Sequence, residues 1–157
     1  MAVQRLCART VDFRIPGTAL NAFVQADMEP SGCGKVLTAT TSFQFFEHVG
    51  QKNASVESNG YAMCNYWIEA PAGSKIEVVL DYFSRGFSND GCVHAAVEIK
   101  TENDKRLTGY RFCGRESIGT SLTSTHNIAP IITYSDGREA ITELRYRIAS
   151  DTPEISK

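Results

Sequence analysis

Three segments of the chain alternate apolar and polar residues with the two-residue period of a strand that buries one face. They span residues 75–82, 93–100 and 143–148. Their apolar positions are Ile76, Val78, Leu80 and Tyr82, then Val93, Ala95, Val97 and Ile99, then Leu144, Tyr146 and Ile148. Each segment is therefore predicted to be a strand that points these side chains into the core.

Shorter runs rich in β-branched and aromatic residues lie at 36–46, 65–69, 107–112 and 129–134. Turn-forming residues separate the runs at 59–60, 71–73, 89–91 and 136–137. Many short strands without a helix of ten or more residues predict an all-β, two-layer antiparallel sandwich or barrel. Residues 1–32 show turn clusters and little periodicity, and we interpret them as a linker.

Composition and charge narrow the class of protein. The chain has 157 residues, of which 42% are hydrophobic and 22% charged, a profile typical of one globular domain. Its formal net charge is -2 and it has no block of like charges, so neither nucleic acid nor an anionic membrane is expected as a partner. No apolar run approaches the roughly 18 to 20 residues of a membrane-spanning helix, and no membrane span is predicted.

Five cysteines are spread along the chain, at Cys7, Cys33, Cys64, Cys92 and Cys113. Zinc sites draw ligands from close pairs such as C-x2-C, and the absence of such a pair argues against a cysteine metal site. Widely spaced cysteines are typical of disulfides formed in an oxidising compartment. Four cysteines can form two disulfides in three different pairings, and the spacing does not show which pairing is present.

The odd number of cysteines leaves one without a partner in the chain. If the pairing is sequential, that one is Cys7, and we expect its partner to lie outside these residues. Residues 1–6 lack the apolar core of a secretory signal. Together these two features lead to the hypothesis that the chain begins inside a larger secreted protein.

The chain contains none of the common catalytic motifs. Glu47 and His48 are adjacent, but no second histidine follows to complete the zinc-protease motif H-E-x-x-H. The nucleophile motif G-x-S-x-G and the phosphate-binding motif G-x4-G-K-[ST] are also absent. We therefore predict no catalytic residue in this chain and interpret its three histidines as packing or surface residues.

Two single residues, Asn53 and Trp67, carry further predictions. Asn53 begins an N-glycosylation sequon in a polar stretch, and in a disulfide-bonded protein we expect it to carry a glycan. Trp67, the only tryptophan, follows Cys64 by three residues in an apolar strand. We interpret this aromatic side chain as core packing beside a disulfide rather than as a ligand-stacking surface.

The cysteines and their neighbours together resemble a CUB domain along residues 33–150. The residues that carry the resemblance are Cys33, Gly34, Cys64, Trp67, Ile68, Ala70, Pro71, Gly73, Cys92, Val97, Glu98, Ile99, Tyr110, Cys113, Gly114, Ser135 and Asp136. The resemblance implies a jelly-roll-like sandwich with two disulfides, one joining Cys33 to Cys64 and the other Cys92 to Cys113. Residues 151–157 are then a C-terminal tail.

Within that family, residues 66–77, 91–92, 97–101 and 107–113 are similar to the CUB domains of nematode astacin-type zinc metalloproteinases. Those proteins place a secretory signal, a propeptide, the zinc protease domain and an EGF-like module before the CUB domain. The resemblance implies that Cys7 belongs to the tail of the EGF-like module, which gives it a partner upstream. It also implies a secreted protein whose zinc is bound in a catalytic domain outside this chain, with no cofactor in the chain itself.

A departure from the family pattern concerns calcium. Many CUB domains bind calcium through acidic side chains and use it to grip a basic side chain of the partner. One of those acidic residues usually follows the third cysteine, where this chain has Ala95, and a methyl group is no ligand for a hard cation. Asp136 matches a second acidic position, and Glu57 is the candidate for the third. With one ligand missing, we predict no tight calcium binding.

The resemblance implies a function in binding rather than catalysis. The leading hypothesis is a non-catalytic extracellular module of a secreted astacin-like zinc metalloendopeptidase that recognises protein substrate or matrix. The alternative is a free-standing secreted CUB protein that binds protein or carbohydrate. Loops at the ends of a sandwich are the usual binding surfaces, so residues 85–90 and 115–121 are the candidates here.

Overall fold

Short strands make up the part of the chain that the computed structural model describes, residues 33–50 and 60–150. The strands are β1 (Val36–Thr38), β2 (Gln44–Val49), β3 (Ala62–Glu69), β4 (Ile76–Phe83), β5 (Ala95–Ile99), β6 (Tyr110–Phe112), β7 (Ser121–Thr123), β8 (Ile128–Ser135) and β9 (Ile141–Ile148). The helical structure in these residues is two 3-10 turns, Asp90–Cys92 and Arg115–Ser117. The predicted linker 1–32, with Cys7, and the predicted tail 151–157 lie outside the described residues.

The strands form two sheets packed face to face. The order is β1-β3-β8-β5-β6 in the five-stranded sheet and β2-β9-β4-β7 in the four-stranded sheet. Neighbouring strands are antiparallel except β1 and β3, which run parallel. The predicted all-β, two-layer sandwich with two disulfides is confirmed.

The core lies between the sheets and is lined by the apolar faces of their long strands. Its largest fully buried side chains include Ile68, Ile99 and Ile131 from the five-stranded sheet and Ile76, Leu80 and Leu144 from the four-stranded sheet. Because burying one such side chain is worth about 1.5–3 kcal/mol, these residues hold the two layers together. The inward positions predicted in 143–148 agree, since Leu144 and Tyr146 are 1% and 4% exposed.

The alternation predicted for residues 75–82 breaks near its end. The pairing of β4 with β9 shifts register between Leu80 and Tyr82, which is the mark of a β-bulge. The extra residue leaves Tyr82 only partly buried and turns Phe83 into the core with 0% exposure. The prediction that Tyr82 is a core residue is wrong for this reason.

Strand β5 differs from the prediction for residues 93–100 in two ways. It begins at Ala95, so Val93 belongs to the preceding loop, where it is 50% exposed. All residues of β5 are buried, and the strand lies between β8 and β6 in the five-stranded sheet. Glu98 is therefore buried despite its charge, at 5% exposure.

The run at 36–46, predicted as one β-rich segment, forms two strands in different sheets. β1 pairs with β3, and β2 pairs with β9 across the core. Residues 39–43 connect the two sheets at one end of the sandwich. The composition of this run does not reveal where the chain leaves one sheet for the other, because β-branched or aromatic residues occur in both halves.

Trp67 is buried, with 7% exposure, but it does not belong to the inter-sheet core. Its strand neighbours Tyr66 and Ile68 do belong to that core. Because successive side chains of a strand point to opposite faces, Trp67 lies on the outer face of the five-stranded sheet. The interpretation of Trp67 as a packing residue agrees with its burial, and the structure adds that it packs on this outer face.

Candidate functional site

Three loops lie together at one end of the sandwich. They connect β4 to β5, β6 to β7, and β8 to β9, and comprise residues 84–94, 113–120 and 136–140. The antiparallel pairing places them side by side, because the last residue of β8 lies opposite the first residue of β5 and the end of β4 lies opposite the start of β9. We call these three segments the disulfide end.

The Cys92–Cys113 disulfide ties the first two loops together, with the two Cα atoms 5.6 Å apart. A second link is the hydrogen bond from Ser88 Oγ to Glu116 Oε1, at 3.0 Å. The structure therefore brings the predicted binding residues 85–90 and 115–121 next to each other. The last of them, Ser121, begins β7 and is part of the four-stranded sheet rather than of a loop.

Buried contacts beneath these loops fix their position. The Phe87 ring packs edge-on against the Phe83 ring, with centroids 6.1 Å apart, and is 6% exposed. The Gly119 amide donates to the Leu80 carbonyl at 2.7 Å, which fastens the second loop to β4. Anchored loops present their exposed side chains in a defined arrangement, which lowers the entropy lost on binding.

Asp136 lies at the centre of a charged cluster in the disulfide end. Its carboxylate accepts hydrogen bonds from Arg138, whose Nε is 2.8 Å from Oδ1 and whose Nη2 is 2.6 Å from Oδ2. His94 Nδ1 lies 2.9 Å from Oδ2. The Arg138 hydrogen bonds, followed by the one from His94, lower the pKa of Asp136 to about 2. The carboxylate is therefore ionised, and Arg138 of the same chain already neutralises its charge.

This arrangement bears on the calcium position predicted from the sequence. Ala95 has 0% exposure and belongs to the core, so the side chain beside Asp136 is His94 instead. Both Asp136 oxygens are occupied by nitrogen donors, whereas calcium requires six to eight oxygen ligands. The donor set does not fit calcium. Among the described residues, no three His, Cys, Asp or Glu side chains are grouped to share a metal ion, and Glu57 lies outside those residues.

Sequence reasoning singled out Asp136 but missed His94 and Arg138. The contact of Arg138 with Asp136 could have been predicted, since a side chain two positions along an Asp-Gly turn can fold back to the carboxylate. The contact of His94 could not, because it depends on the pairing of β5 with β8. Arg138 also lies over the Phe87 ring, with its guanidinium carbon 5.1 Å from the ring centroid, which couples this cluster to the anchored loop.

The second disulfide joins Cys33, just before β1, to Cys64 on β3, with Cα atoms 5.3 Å apart. The glycine that follows Cys33 is explained by its surroundings. Gly34 has a φ of +96°, and a Cβ at that position would collide with the Asn65 carbonyl. Both predicted pairings are therefore present in the structure. The predicted glycosylation residue Asn53 lies outside the described residues.

An ion pair between buried Glu98 and exposed Arg111 lies on the outer face of the five-stranded sheet, away from the disulfide end. Glu98 Oε2 accepts a hydrogen bond from Arg111 Nε at 2.7 Å, and Glu98 Oε1 accepts one from the Gly109 amide at 2.9 Å. Gly109 has no room for a side chain, because a Cβ would collide with the Ile99 carbonyl. These contacts fasten β6 and its preceding loop to β5, so we interpret Glu98 as a structural residue.

Comparison with known proteins places this geometry in a family. The profile of the CUB domain family matches residues 33–144. The zinc metalloproteinase nas-31 of Caenorhabditis elegans is 32% identical over 133 residues, which are 85% of this chain and 22% of that protein. The zinc metalloproteinase nas-23 of the same organism is 33% identical over 117 residues, 74% of this chain and 21% of that protein. The chain thus spans about a fifth of the length of these relatives.

A solved structure has a similar fold. It is that of the CUB1-EGF-CUB2 domains of rat MASP-1, which align with a TM-score of 0.50 at 14% identity over 76% of this chain and 44% of that one. Similarity at this identity concerns the fold alone. A search of the described residues found no helix with the length and hydropathy needed to cross a membrane.

Proposed function

The chain is a member of the CUB domain family, and on that premise we propose that it is the non-catalytic, protein-binding module of a secreted astacin-like zinc metalloendopeptidase. The observation that carries the proposal is the similarity to a zinc metalloproteinase over 85% of this chain but only 22% of the relative. The remaining length of such a protein has room for a catalytic domain. Zinc and peptidase activity would belong to that part.

We place the binding surface at the disulfide end. Its loops are anchored by Phe87 and by the Cys92–Cys113 disulfide, and they expose Arg85, Arg115 and, at 37%, Ile118. Apolar side chains beside arginines are typical of protein-binding surfaces. Holding an extracellular protein substrate or matrix component at this surface raises its effective concentration at a linked protease.

The test compares the complete protease with a form that lacks this module. We expect the KM for a folded protein substrate to rise at least tenfold on removal, with kcat unchanged, because only substrate capture is lost. The KM for a short peptide substrate should not change, since a short peptide does not reach the module. Equal KM values for the protein substrate with and without the module would overturn the proposal.

Two point variants of the complete protease locate the surface. Arg115→Glu, in the disulfide end, should raise the KM for the protein substrate. Leu107→Asp is the matched control, because Leu107 is also exposed, at 48%, but lies in the loop between β5 and β6 at the opposite end. Coding sequence upstream without an H-E-x-x-H motif would remove the link to a protease altogether.

We further propose that the protein is secreted and N-glycosylated at Asn53. The two disulfides support an oxidising compartment. Expression in a eukaryotic secretory pathway should give a chain whose mass falls on treatment with an N-glycosidase. The Asn53→Gln chain should show no such change, and an unglycosylated wild-type chain would contradict the proposal.

We also propose that this domain binds no calcium tightly, because Arg138 already neutralises Asp136 and the nitrogen atoms of Arg138 and His94 occupy its carboxylate oxygens. Calorimetric titration of the chain with calcium should give no heat from a site of micromolar affinity. Thermal unfolding should be the same in calcium and in chelator. A micromolar site that is lost in Asp136→Ala would overturn this proposal.

A further inference from the structure

Strand β2 forms one edge of the four-stranded sheet. It pairs with β9 along its whole length, from Gln44 to Val49, without a bulge. No other strand among residues 33–50 and 60–150 pairs with its second side. An edge strand of this length offers a row of backbone groups to another strand.

The hydrogen bonds to β9 show which backbone groups face outward. The Gly50 amide donates to the Ala140 carbonyl at 2.9 Å, one step beyond the last pair of the register. In antiparallel pairs, hydrogen-bonded and non-hydrogen-bonded positions alternate, so every second residue back from Gly50 bonds to β9. The amide and carbonyl groups of Phe45, Glu47 and Val49 therefore point toward the open edge.

Two of these three residues, Phe45 and Val49, expose apolar side chains that favour association at the edge. They lie on the outer face of the sheet, where Phe45 is 81% exposed and Val49 is 44% exposed. Phe45 has the highest exposure of the large hydrophobic residues in the described part of the chain. Natural edge strands are usually protected by charged side chains, lysine above all, by proline, by a bulge or by a very short length. Strand β2 has one charged side chain, Glu47, and none of the other protections.

We propose that β2 pairs antiparallel with β2 of a second copy of this chain, about a two-fold axis beside Phe46, so that two four-stranded sheets become one continuous sheet. The occupant of the edge is thus a second copy, and the interface is the same segment on both molecules. This inference is independent of the proposed protease and of the disulfide end.

The register of the pairing follows from the faces and charges of β2. Outer-face residues of one copy must oppose outer-face residues of the other, so the registers that use most of the strand centre on Phe46 or on Glu47. Centring on Glu47 places two carboxylates directly opposite each other, which is destabilising. Centring on Phe46 places Phe45 opposite Glu47 and Phe43 opposite Val49. The outward backbone groups of Phe45 and Glu47 then bond to each other across the axis.

The inner face of the same register is also complementary. It makes Gln44 of one copy the neighbour of His48 of the other. Gln44 Oε1 is buried without a hydrogen-bond partner among the described residues. His48 uses Nδ1 for the Tyr66 hydroxyl, at 2.8 Å, which leaves Nε2 for a second contact. If the Gln44 side-chain amide rotates, its Oε1 would lie beside His48 Nε2 of the other copy. The two-fold axis makes this contact occur twice in the dimer.

Sedimentation of the full 157-residue chain over a wide concentration range tests the association. We expect the mass to rise from that of a monomer to that of a dimer. Glu47→Pro removes an amide that faces the open edge and leaves the bonds to β9 intact, and Phe45→Glu places a carboxylate opposite Glu47 of the other copy. Each should raise the dissociation constant at least tenfold while circular dichroism shows a folded chain. Leu107→Glu, at an exposed site away from β2, should leave it unchanged.

Cross-linking tests the register. In a Cys7→Ser background, which removes the cysteine without a described partner, Phe45→Cys and Glu47→Cys chains are mixed and oxidised. The mixed 45–47 cross-link should form at least tenfold faster than either chain cross-links to itself. A wild-type chain that stays monomeric at every concentration, a dimer insensitive to both edge variants, or a dominant 47–47 cross-link would overturn the proposal.

Discussion

His48 shows how burial sets the chemistry of a single residue. Its Nδ1 lies 2.8 Å from the Tyr66 hydroxyl, and the two rings meet edge-on with centroids 5.8 Å apart. Burial lowers the pKa of His48 and raises the pKa of Tyr66, so both side chains are neutral at pH 7. A neutral histidine that is bonded to a tyrosine and largely shielded from solvent is a packing group.

The lowered pKa makes stability depend on pH. In the unfolded chain His48 binds a proton as the pH falls through about 6.5, while the folded chain resists it. The free energy of unfolding should therefore decrease below about pH 6.5 and be highest above it. Urea unfolding between pH 5 and 8 measures this slope, which His48→Gln should reduce. The exposed residue His126 gives the control, and an equal reduction in His126→Gln would contradict the explanation.

The charged cluster shows which contacts can be predicted from neighbouring residues in the sequence and which cannot. Asp136 was identified as an acidic position, yet its chemistry is decided by Arg138 and His94. His94 reaches the carboxylate only because β5 pairs with β8 so that Ala95 lies opposite Ser135. Contacts across strands distant in sequence are not encoded in the spacing of residues near Cys92.

At the scale of the strand, the bulge in β4 decides which aromatic residue supports the core. Phe83 has 0% exposure and packs against Phe87, whereas Tyr82 is partly buried. Phe83→Ala should lower the free energy of unfolding by about 3–5 kcal/mol, because it leaves a large cavity. Tyr82→Ala should cost about 1 kcal/mol or less. Guanidinium unfolding of both variants measures the difference, and a larger cost for Tyr82→Ala would mean that the strand continues without a bulge.

Most of the segments that form strands could be predicted from the sequence, but which strands pair with each other could not. The alternating segments became β4, β5 and β9 with boundaries shifted by one or two residues. The run at 36–46 was interpreted as one segment because β-branched or aromatic residues occur in both halves, although the polar residues 40–42 lie between the two strands. β7 was not predicted, since three residues are too few to show a period, and its first residue, Ser121, was assigned to a binding loop. Both errors concern features that depend on pairing between segments distant in the sequence.

At the scale of the whole molecule, the two disulfides fasten different parts of the sandwich. Cys33–Cys64 secures the start of β1 to β3 in the five-stranded sheet. Cys92–Cys113 joins two loops of the disulfide end. The four cysteines with their neighbours were also the part of the sequence that carried the family resemblance. Their pairing came from that resemblance, because spacing alone left three connectivities open.

The cysteine pairs yield a prediction for the stability of the domain. They are separated by 31 and 21 residues, and restricting such loops in the unfolded chain is worth about 3–4 kcal/mol each. The loops do not overlap in sequence, so the two effects should add. Replacing Cys33 and Cys64 by alanine, or Cys92 and Cys113, should leave a folded domain of reduced stability, measured by guanidinium unfolding. Replacing all four should remove about 6–8 kcal/mol, most of the stability of a typical domain, and give a largely unfolded chain.

The two pairs should differ in their effect on binding. Without Cys33–Cys64 the disulfide end keeps its own bridge, so binding per folded molecule should be preserved. Without Cys92–Cys113 the loops at 85–90 and 115–121 lose their covalent link, and binding should weaken even under conditions where the domain remains folded. Equal losses of binding in the two variants at equal folded fraction would show that the bridge in the disulfide end stabilises the sandwich without arranging its binding surface.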